Sequence, residues 1–449
     1  MTSPSSMYQK NARAFGSIIE YLPYFRKWLR NQKDFKWHTA EDESNVKRLI
    51  GFASDFRGSY ISFYGQEPVG ARQLINRLKQ ISDSWEGKSS IEHADFKSSD
   101  LANGVDDMIK LCKDAIDESI NLDTTTNQII KGFIRFLINQ NIRKKDIWGD
   151  LKAMSNKFYS RFYVGDLDTY REIPELKLLG PKGHSNLSVQ DYDGIVRDVK
   201  RIFKDLVRRL YHGKDVDLDK ISLTKESLSK SWLYFDIINF VAIKNPSFFE
   251  RVYVNIMPKH IHEVIFEIIN FSMDFMHKNK ISFNTDKINL SGKISADYYN
   301  AQRPDTIVLY LKGNDSFIFE EFKRKLVQLI NSFPGDYSND YWNIFSKKVG
   351  LVSLAPEPSK KMMDQMYKIG WRFYCEHTSL KPGERCPKCR HKPAASFGGY
   401  VSWAVSYAVL QVFGSIDRFI PFDEKIFDKE VRNNIDKIRE ILVHEFSLE

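Results

Sequence analysis

The stretch Phe248–Lys280, "FFERVYVNIMPKHIHEVIFEIINFSMDFMHKNK", contains a change in the spacing of its apolar residues. Before Pro258, apolar and polar residues alternate as they do along a half-buried β-strand, and the proline marks the end of that strand. After Pro258, apolar residues recur at three- and four-residue intervals, which predicts a long amphipathic helix. A strand followed at once by a helix indicates a sheet with helices packed against it.

The segments on the C-terminal side repeat this arrangement. "RPDTIVLYLKG" (303–313) and "KVGLVSLAP" (348–356) are each predicted to form a strand. "FIFEEFKRKLVQLINSF" (317–333), "GGYVSWAVSYAVLQVF" (398–413) and "KEVRNNIDKIREILVHEF" (429–446) are predicted to form helices, the second of them buried. Because strands and helices follow one another in this way, we predict an α+β fold in which helices pack on a mixed sheet.

The part before residue 146 differs because helical spacing continues throughout it. Its apolar residues recur at three- and four-residue intervals in segments joined by polar loops. Asn121, Asp123 and Thr124 are residue types that favour the N-cap, and they predict that a new helix begins at this point. We therefore predict a helical domain at 1–145, an α+β domain at 146–420 with an insertion at 359–394, and a C-terminal helix at 421–449.

The composition narrows the class of protein. With 449 residues, 42% of them hydrophobic and 28% charged, the chain can form a sizeable core. No apolar run reaches the roughly 18 residues that span a bilayer, and the polar start "MTSPSSMYQKNAR" lacks the apolar core of a secretory signal peptide. The net charge of +9 is spread over helices of mixed sign, which is typical of solvated helix faces or of a surface that binds anions such as phosphopeptides.

Cysteine and histidine residues cluster near the end of the α+β region. Cys-x-His and Cys-Pro-Lys-Cys form two potential ligand pairs on either side of a loop that contains glycine. The spacing predicts a closed, structural zinc site with the ligands Cys375, His377, Cys386 and Cys389. His391 is the alternative to His377 as the fourth ligand. A reduced, metal-free loop and a local disulfide are the alternative interpretations of the cluster.

Five short motifs occur in a recognisable order. They are "FYSRFYVG" (158–165), "RVYVNIMPKHIHEVIFEII" (251–269), "ISFNTDK" (281–287) with "YYNAQRPDTIVLYL" (298–311), "GLVSLAPEP" (350–358) and "ASFGGYVSWAVSYAVL" (395–410). This order resembles the HopA-like family, which includes type III secreted effectors of plant-pathogenic bacteria and the lyase components of class V lanthipeptide and thioamitide pathways. The resemblance covers roughly Asp146–Phe413. In the family the last two motifs lie close together, so the cysteine-containing segment resembles an insertion.

The resemblance implies a reaction as well as a fold. The lyase members remove phosphate from a phosphoserine or phosphothreonine of a peptide and leave a dehydroamino acid, without a metal or an organic cofactor. Such a β-elimination needs a base, a general acid and cations that hold the phosphate. At the matching positions, the resemblance implies catalytic roles for Lys280, Lys287 and Asp305, and phosphate-binding roles for Arg161, Arg303 and Tyr163.

Two positions depart from the pattern of the lyases. The family's lysine in the third motif falls at Asp286, and its arginine after S-F-G falls at Val401. Both differences remove positive charge from the expected phosphate site. The resemblance therefore implies a phosphopeptide-binding protein, with or without lyase activity. The alternative is a non-catalytic secreted effector or interaction protein with the same fold.

The resemblance also implies partners and a location. The expected partner is a phosphorylated peptide or protein, together with a kinase that modifies it. Nucleic-acid binding is the weakest interpretation, because the sequence has no helix-turn-helix, RNP motif or Gly-rich phosphate loop. The family implies the bacterial cytoplasm or, for an effector, secretion into a host cell. Structural zinc is expected, and an organic cofactor is not.

Overall fold

The computed structural model describes most of the chain. It describes all residues except 1–6, 33–37, 65–66, 69, 88–96, 143–146, 164–166, 177–186, 212–222, 227–231, 239–242, 244–245, 283–286, 298–305, 340–342, 372, 375–378, 381–386, 388–395 and 449. Contacts divide the chain into two compact units, Pro4–Thr125 and Thr126–Glu449. The domain bounds predicted from the sequence are those of segments that fold independently. A division by contacts is a different property, so these bounds stay a prediction.

The unit Pro4–Thr125 is helical in its described part. Its helices are α1 (Met7–Ile19), α2 (Leu22–Asn31), α3 (Ala40–Tyr64), α4 (Ala71–Trp85) and the first part of α5 (Ser98–Ile142). Aromatic rings contribute to its core, because Phe15 stands edge-on to both Phe56 and Phe63 and all three are buried. Burying such a side chain contributes about 1.5–3 kcal/mol to stability, which explains why apolar spacing determines these helices.

Helix α5 continues without a break where the sequence predicts a new helix start. The hydroxyls of Thr124 and Thr125 donate to the carbonyl oxygens of Ile120 and Asn121 at 2.9 and 2.8 Å. These side chains therefore bond within a continuing helix instead of capping another one. The predicted N-caps at Asn121, Asp123 and Thr124 are wrong, because the apolar spacing on both sides outweighs the capping preference of these residue types.

The unit Thr126–Glu449 combines helices with a sheet. Its helices are the rest of α5, α6 (Leu151–Lys157), a π-helix (Phe158–Tyr163), α7 (Leu167–Glu172), α8 (Val189–Tyr211), α9 (Ile261–Lys278), α10 (Ser316–Asn331), α11 (Lys360–Lys368), α12 (Phe397–Phe413) and α13 (Glu424–Phe446). The predicted helices that correspond to α9, α10, α12 and α13 are confirmed, and α12 is largely buried. No described helix is both long enough and apolar enough to cross a membrane.

Seven of the described strands of this unit form one sheet. The strands are β1 (Thr224–Glu226), β2 (Trp232–Ile238), β3 (Phe248–Val254), β4 (Ile288–Ser295), β5 (Ile307–Gly313), β6 (Lys347–Val349) and β7 (Val352–Pro356). Their order across the sheet is β1-β2-β4-β5-β3-β7-β6, and each described neighbouring pair is antiparallel. The α+β class is confirmed, and the sheet differs from the expectation in being antiparallel instead of mixed.

The segment predicted as one strand, "KVGLVSLAP", forms the hairpin of β6 and β7. Gly350 lies between them with φ of +61°, a conformation that glycine adopts without strain. A Cβ at Gly350 would also lie 2.5 Å from Oδ1 of Asn331, which accepts the N–H of Leu351 at 2.8 Å. The turn is not apparent from the spacing because apolar residues continue on both sides of a single glycine.

The two faces of the sheet differ in polarity because side chains alternate along each strand. One face, here named the core face, includes Leu290 and Leu309 and packs against α8, α9 and α10. The opposite face, here named the polar face, includes Ser291, Tyr310 and Arg251. A buried core on one side therefore holds polar side chains in fixed positions on the other.

Candidate functional site

The register of the strands aligns polar residues in rows across the polar face. Tyr310 of β5 is the cross-strand neighbour of Arg251 on β3 and of Ser291 on β4. Ser291 is in turn the neighbour of Asp236 on β2. Neighbouring strands lie about 4.8 Å apart, so these side chains form a continuous row. Lys312, two residues after Tyr310, lies in the next row on the same face.

Arg251 is the central cation of this row. Its Nε and Nη2 atoms lie 2.7 and 2.6 Å from Oε2 of Glu357, which follows β7. The guanidinium carbon lies 5.4 Å from the centre of the Tyr310 ring, which is a cation–π contact. The side chain of Arg251 is 13% exposed and that of Glu357 is 28% exposed, so the ion pair remains partly accessible.

The surroundings of Lys312 and Asp236 shift both pKa values in the direction that favours the uncharged side chain. Burial lowers the pKa of Lys312, while Glu357 opposes this shift and repulsion from Arg251 adds to it. Burial raises the pKa of Asp236, and attraction to Lys312 opposes that shift. Lys312 Nζ also lies 4.6 Å from the centre of the Phe249 ring. A lowered lysine pKa beside a raised carboxyl pKa is the combination that acid–base catalysis uses.

The polar face continues past the end of β3 as a buried, hydrogen-bonded region. Asn255 donates from Nδ2 to Oγ of Ser353 at 2.8 Å. The main-chain carbonyl oxygen of Asn255 accepts the main-chain N–H of Asn339 at 3.3 Å. Asn343 donates from Nδ2 to the carbonyl oxygen of Tyr163 at 3.4 Å. The Oδ1 atoms of Asn255 and Asn343 are buried and have no hydrogen-bond partner among the described residues. The bond from Asn343 reaches the last residue of the "FYSRFY" motif.

The first and last of the five motifs meet at the start of α12. Tyr159 and Tyr163 stack on the π-helix with ring centres 5.8 Å apart. A Cβ at Gly398 would lie 2.4 Å from the Tyr163 ring and 2.9 Å from the Tyr159 ring, so glycine is needed for this contact. π-Helical turns are rare and are frequently found at functional sites. The geometry therefore brings together two motifs that are far apart in the chain.

The structure describes some of the residues that the resemblance implies for the site. Tyr163 is buried, and Arg161 is partly exposed on the π-helix. Lys287 is exposed directly before β4, and Lys280 is exposed in the turn after α9. The predicted positions outside the described residues are Arg303, Asp305, Asp286, Cys375, His377, Cys386, Cys389 and His391.

Lys287 and the start of β5 lie at opposite ends of the sheet. The carbonyl oxygen of Lys287 accepts the N–H of Asn314 at 3.1 Å, and Asn314 follows Gly313 at the end of β5. Thr306 precedes Ile307 at the start of β5. At about 3.4 Å per residue, the strand separates its two ends by roughly 20 Å. The structure therefore does not bring Lys287 to the start of β5.

Arg251, Lys312 and Glu357 are absent from the residues that the resemblance implies, although the strand patterns indicate two of them. In "RVYV" and "LYLK", each charged residue falls on the face opposite to apolar residues of the core, such as Val252. A cation in that position is directed to the second face of the sheet. Val401, where the lyases have an arginine, is fully buried in α12.

Comparisons with known proteins leave the family open. No family model matches the chain, and no curated protein matches its sequence. Among solved structures, the chain is similar to an effector protein from Pseudomonas syringae pv. syringae strain 61, with 12% sequence identity and a TM-score of 0.27. This match covers 58% of the present chain and 85% of the other. A TM-score this low carries no argument about fold or function, so membership of the HopA-like family stays a prediction.

Proposed function

We propose that the chain binds a phosphorylated peptide or protein segment on the polar face, with Arg251 as the main phosphate-binding residue. The observation that supports this best is the pair between Arg251 and Glu357, because a carboxylate lies where a phosphate oxygen would bind. A guanidinium donates to phosphate and carboxylate oxygens through the same N–H groups. Lys312 adds a second positive charge in the next row of the same face.

Phosphate binding requires Glu357 to withdraw from the guanidinium. Glu357 lies between β7 and α11 in a segment without regular secondary structure, so its movement need not unpair a strand. A phosphate dianion carries more charge than one carboxylate and is therefore attracted more strongly to Arg251. The Tyr310 ring beside Arg251 and the Phe249 ring beside Lys312 reduce contact with water, which strengthens charge-assisted hydrogen bonds.

β-Elimination of the phosphate is a second candidate function, favoured by the opposite pKa shifts of Lys312 and Asp236. Neutral Lys312 would take the Cα proton, and the electrons of that C–H bond would form the Cα=Cβ double bond. The Cβ–O bond would break with its electrons on the phosphate, which Arg251 would hold and Asp236 would protonate. The products would be a dehydroamino acid and inorganic phosphate.

A chain that binds the phosphorylated segment without turnover would act as an interaction protein. This is the role expected of a non-catalytic effector, and it needs Arg251 but no change in the protonation of Lys312. Either function implies a kinase that prepares the ligand. The proposed location is the bacterial cytoplasm or, after secretion, a host cell.

Phosphothreonine and phosphoserine peptides of varied sequence, mixed with the full chain, test both functions. We expect labelled phosphopeptides to bind at least about tenfold more tightly than unphosphorylated ones in fluorescence anisotropy. Mass spectrometry then separates the outcomes, since β-elimination leaves a peptide one water lighter than the unphosphorylated form and a phosphatase restores the hydroxyl. Binding with unchanged mass indicates a non-catalytic protein. Equal affinity for phosphorylated and unphosphorylated peptides would contradict the proposal.

We also propose a structural zinc ion with the ligands Cys375, His377, Cys386 and Cys389. Two short strands support this, β8 (Phe373–Tyr374) and β9 (Ser379–Leu380), which pair in antiparallel register. Their pairing holds together the two ends of the segment that contains the first two ligands. Three thiolates and one imidazole complete a tetrahedral site, so the ion would stabilise the insertion without an open position for water.

Elemental analysis of protein purified without chelators is expected to find about one zinc ion per chain. Cys386→Ser is expected to abolish zinc binding because a hydroxyl is a poor replacement for a thiolate ligand. Cys112→Ala is the control, since Cys112 is buried in α5 and should have no effect on zinc content. Metal-free wild-type protein, or unchanged zinc in Cys386→Ser, would show that the cluster is not a zinc site.

A further inference from the structure

The β2 side of the polar face carries another cation next to aromatic residues. Nζ of Lys293 on β4 lies 3.7 Å from the centre of the Trp232 ring. The cross-strand neighbour of Lys293 is Tyr234, which is 41% exposed. A cation–π contact leaves the positive charge on the ammonium group. Trp232 and Tyr234 offer an apolar surface beside that charge.

The strand register fixes the separation between this cation and Arg251. Ser291 lies in the same row as Arg251, and Lys293 is two residues further along β4. Two strand spacings and two residues along a strand place the Cα atoms of Lys293 and Arg251 about 12 Å apart. An extended peptide covers this distance in about three or four residues.

We infer that the peptide bound at Arg251 carries a second anionic side chain about three or four residues from its phosphorylated residue, and that Lys293 binds this side chain beside Trp232 and Tyr234. The inference rests on the proposed function and adds a class of substrate to it. The ligand would be an acidic phosphopeptide, in which the second anion is a carboxylate or another phosphate.

The charges of the polar face fit a ligand with two anionic groups. The described cations of this face include Arg251, Lys293, Lys312, Lys225 and Lys348, and its carboxyl groups include those of Asp236 and Glu357. Burial raises the pKa of Asp236, which is the direction that favours its uncharged form. Aromatic rings next to a cation shield it from water and provide area for the stem of an acidic side chain. The surface around Lys293 therefore suits glutamate better than glutamine.

Four labelled peptides based on one phosphothreonine sequence test this inference by fluorescence anisotropy. Three carry glutamate, phosphoserine or glutamine at the second position, and the fourth carries glutamate with unphosphorylated threonine. The wild-type chain is expected to bind the glutamate phosphopeptide about fivefold more tightly than the glutamine phosphopeptide, and the phosphoserine peptide at least as tightly. Lys293→Met, which keeps the length of the side chain but removes its charge, should lose this preference. Lys293→Arg should retain it.

The outcomes distinguish this inference from the proposed function. If wild-type chain prefers phosphorylated peptides but binds the glutamate and glutamine phosphopeptides equally, the inference is wrong and the proposed function stands. If no phosphopeptide binds, both are wrong. A preference for glutamate that persists in Lys293→Met would overturn the role of Lys293. Thermal melting checks the fold of Lys293→Met, and Lys293→Gln is the second variant if its melting temperature falls.

Discussion

Arg135→Met is expected to lower the free energy of unfolding by about 3–5 kcal/mol, because it removes the cation of a buried ionic cluster. Arg135 is 6% exposed and donates to both carboxylate oxygens of Glu175 at 2.7–2.9 Å and to Glu424 at 2.8 Å. Its guanidinium carbon lies 4.3 Å from the centre of the Phe427 ring. The variant would leave Glu175 buried, with Lys131 at 3.5 Å as its remaining partner among the described residues.

Urea unfolding followed by circular dichroism measures this loss. Arg418→Met is the matched control, because Arg418 and Glu430 form a more exposed pair at 3.4 Å whose removal should cost less than about 1 kcal/mol. Adding Glu175→Gln to Arg135→Met removes the buried charge that has lost its partner, and it should restore part of the stability. Equal losses in Arg135→Met and Arg418→Met would show that the cluster contributes little.

The pH dependence of stability gives a second measurement of the same cluster. The hydrogen bond from Arg135 lowers the pKa of Glu424, and that from Lys131 lowers the pKa of Asp428. A carboxylate with a lowered pKa stabilises the folded state above its unfolded pKa, and this contribution is lost as the pH falls through its folded pKa. When the pH is lowered past about 4, the stability of the wild-type chain should therefore decrease, and the decrease should be smaller in Arg135→Met.

Elements with one apolar side could be predicted from the sequence because their spacing is a local property. β3 and α9 are examples, since β3 alternates with the period of a strand and α9 repeats with the period of a helix. β2 (Trp232–Ile238) could not be predicted in this way, because "WLYFDII" has apolar residues on both sides of the strand. The order of the strands depends on pairs that are distant in the sequence, so no local pattern could have predicted an antiparallel sheet.

The candidate site could be predicted only in part, because its residues become neighbours through the register of the sheet. Alternation alone assigns Arg251 and Lys312 to a face other than the core, but it does not show that Tyr310 lies beside Arg251. The motif positions that match the lyases, including Lys280 and Lys287, lie in segments that flank the strands. A register predicted together with the alternation would have identified the row.

Arg251→Met is expected to weaken phosphopeptide binding by about a hundredfold. Each charge-assisted hydrogen bond to phosphate contributes roughly 1.5–3 kcal/mol, and the substitution removes the donors while it retains most of the side-chain length. Unphosphorylated peptide makes no such bonds, so its affinity should change little. Arg251→Lys should keep part of the affinity, because lysine retains the charge but not the two-pronged geometry of the guanidinium. Anisotropy titrations with both peptides measure these differences.

Glu357→Gln separates a ligand-binding role of Arg251 from a purely structural one. If Glu357 occupies the place of a phosphate oxygen, removal of its charge makes it easier to displace, and the affinity for phosphopeptide should rise. If the pair only holds the segment after β7 against the sheet, Glu357→Gln and Arg251→Met should both destabilise the fold and both weaken binding. Thermal melting of the two variants distinguishes loss of the fold from loss of the site. Opposite changes in affinity at similar stability would support a phosphate site at Arg251, whereas parallel losses would contradict it.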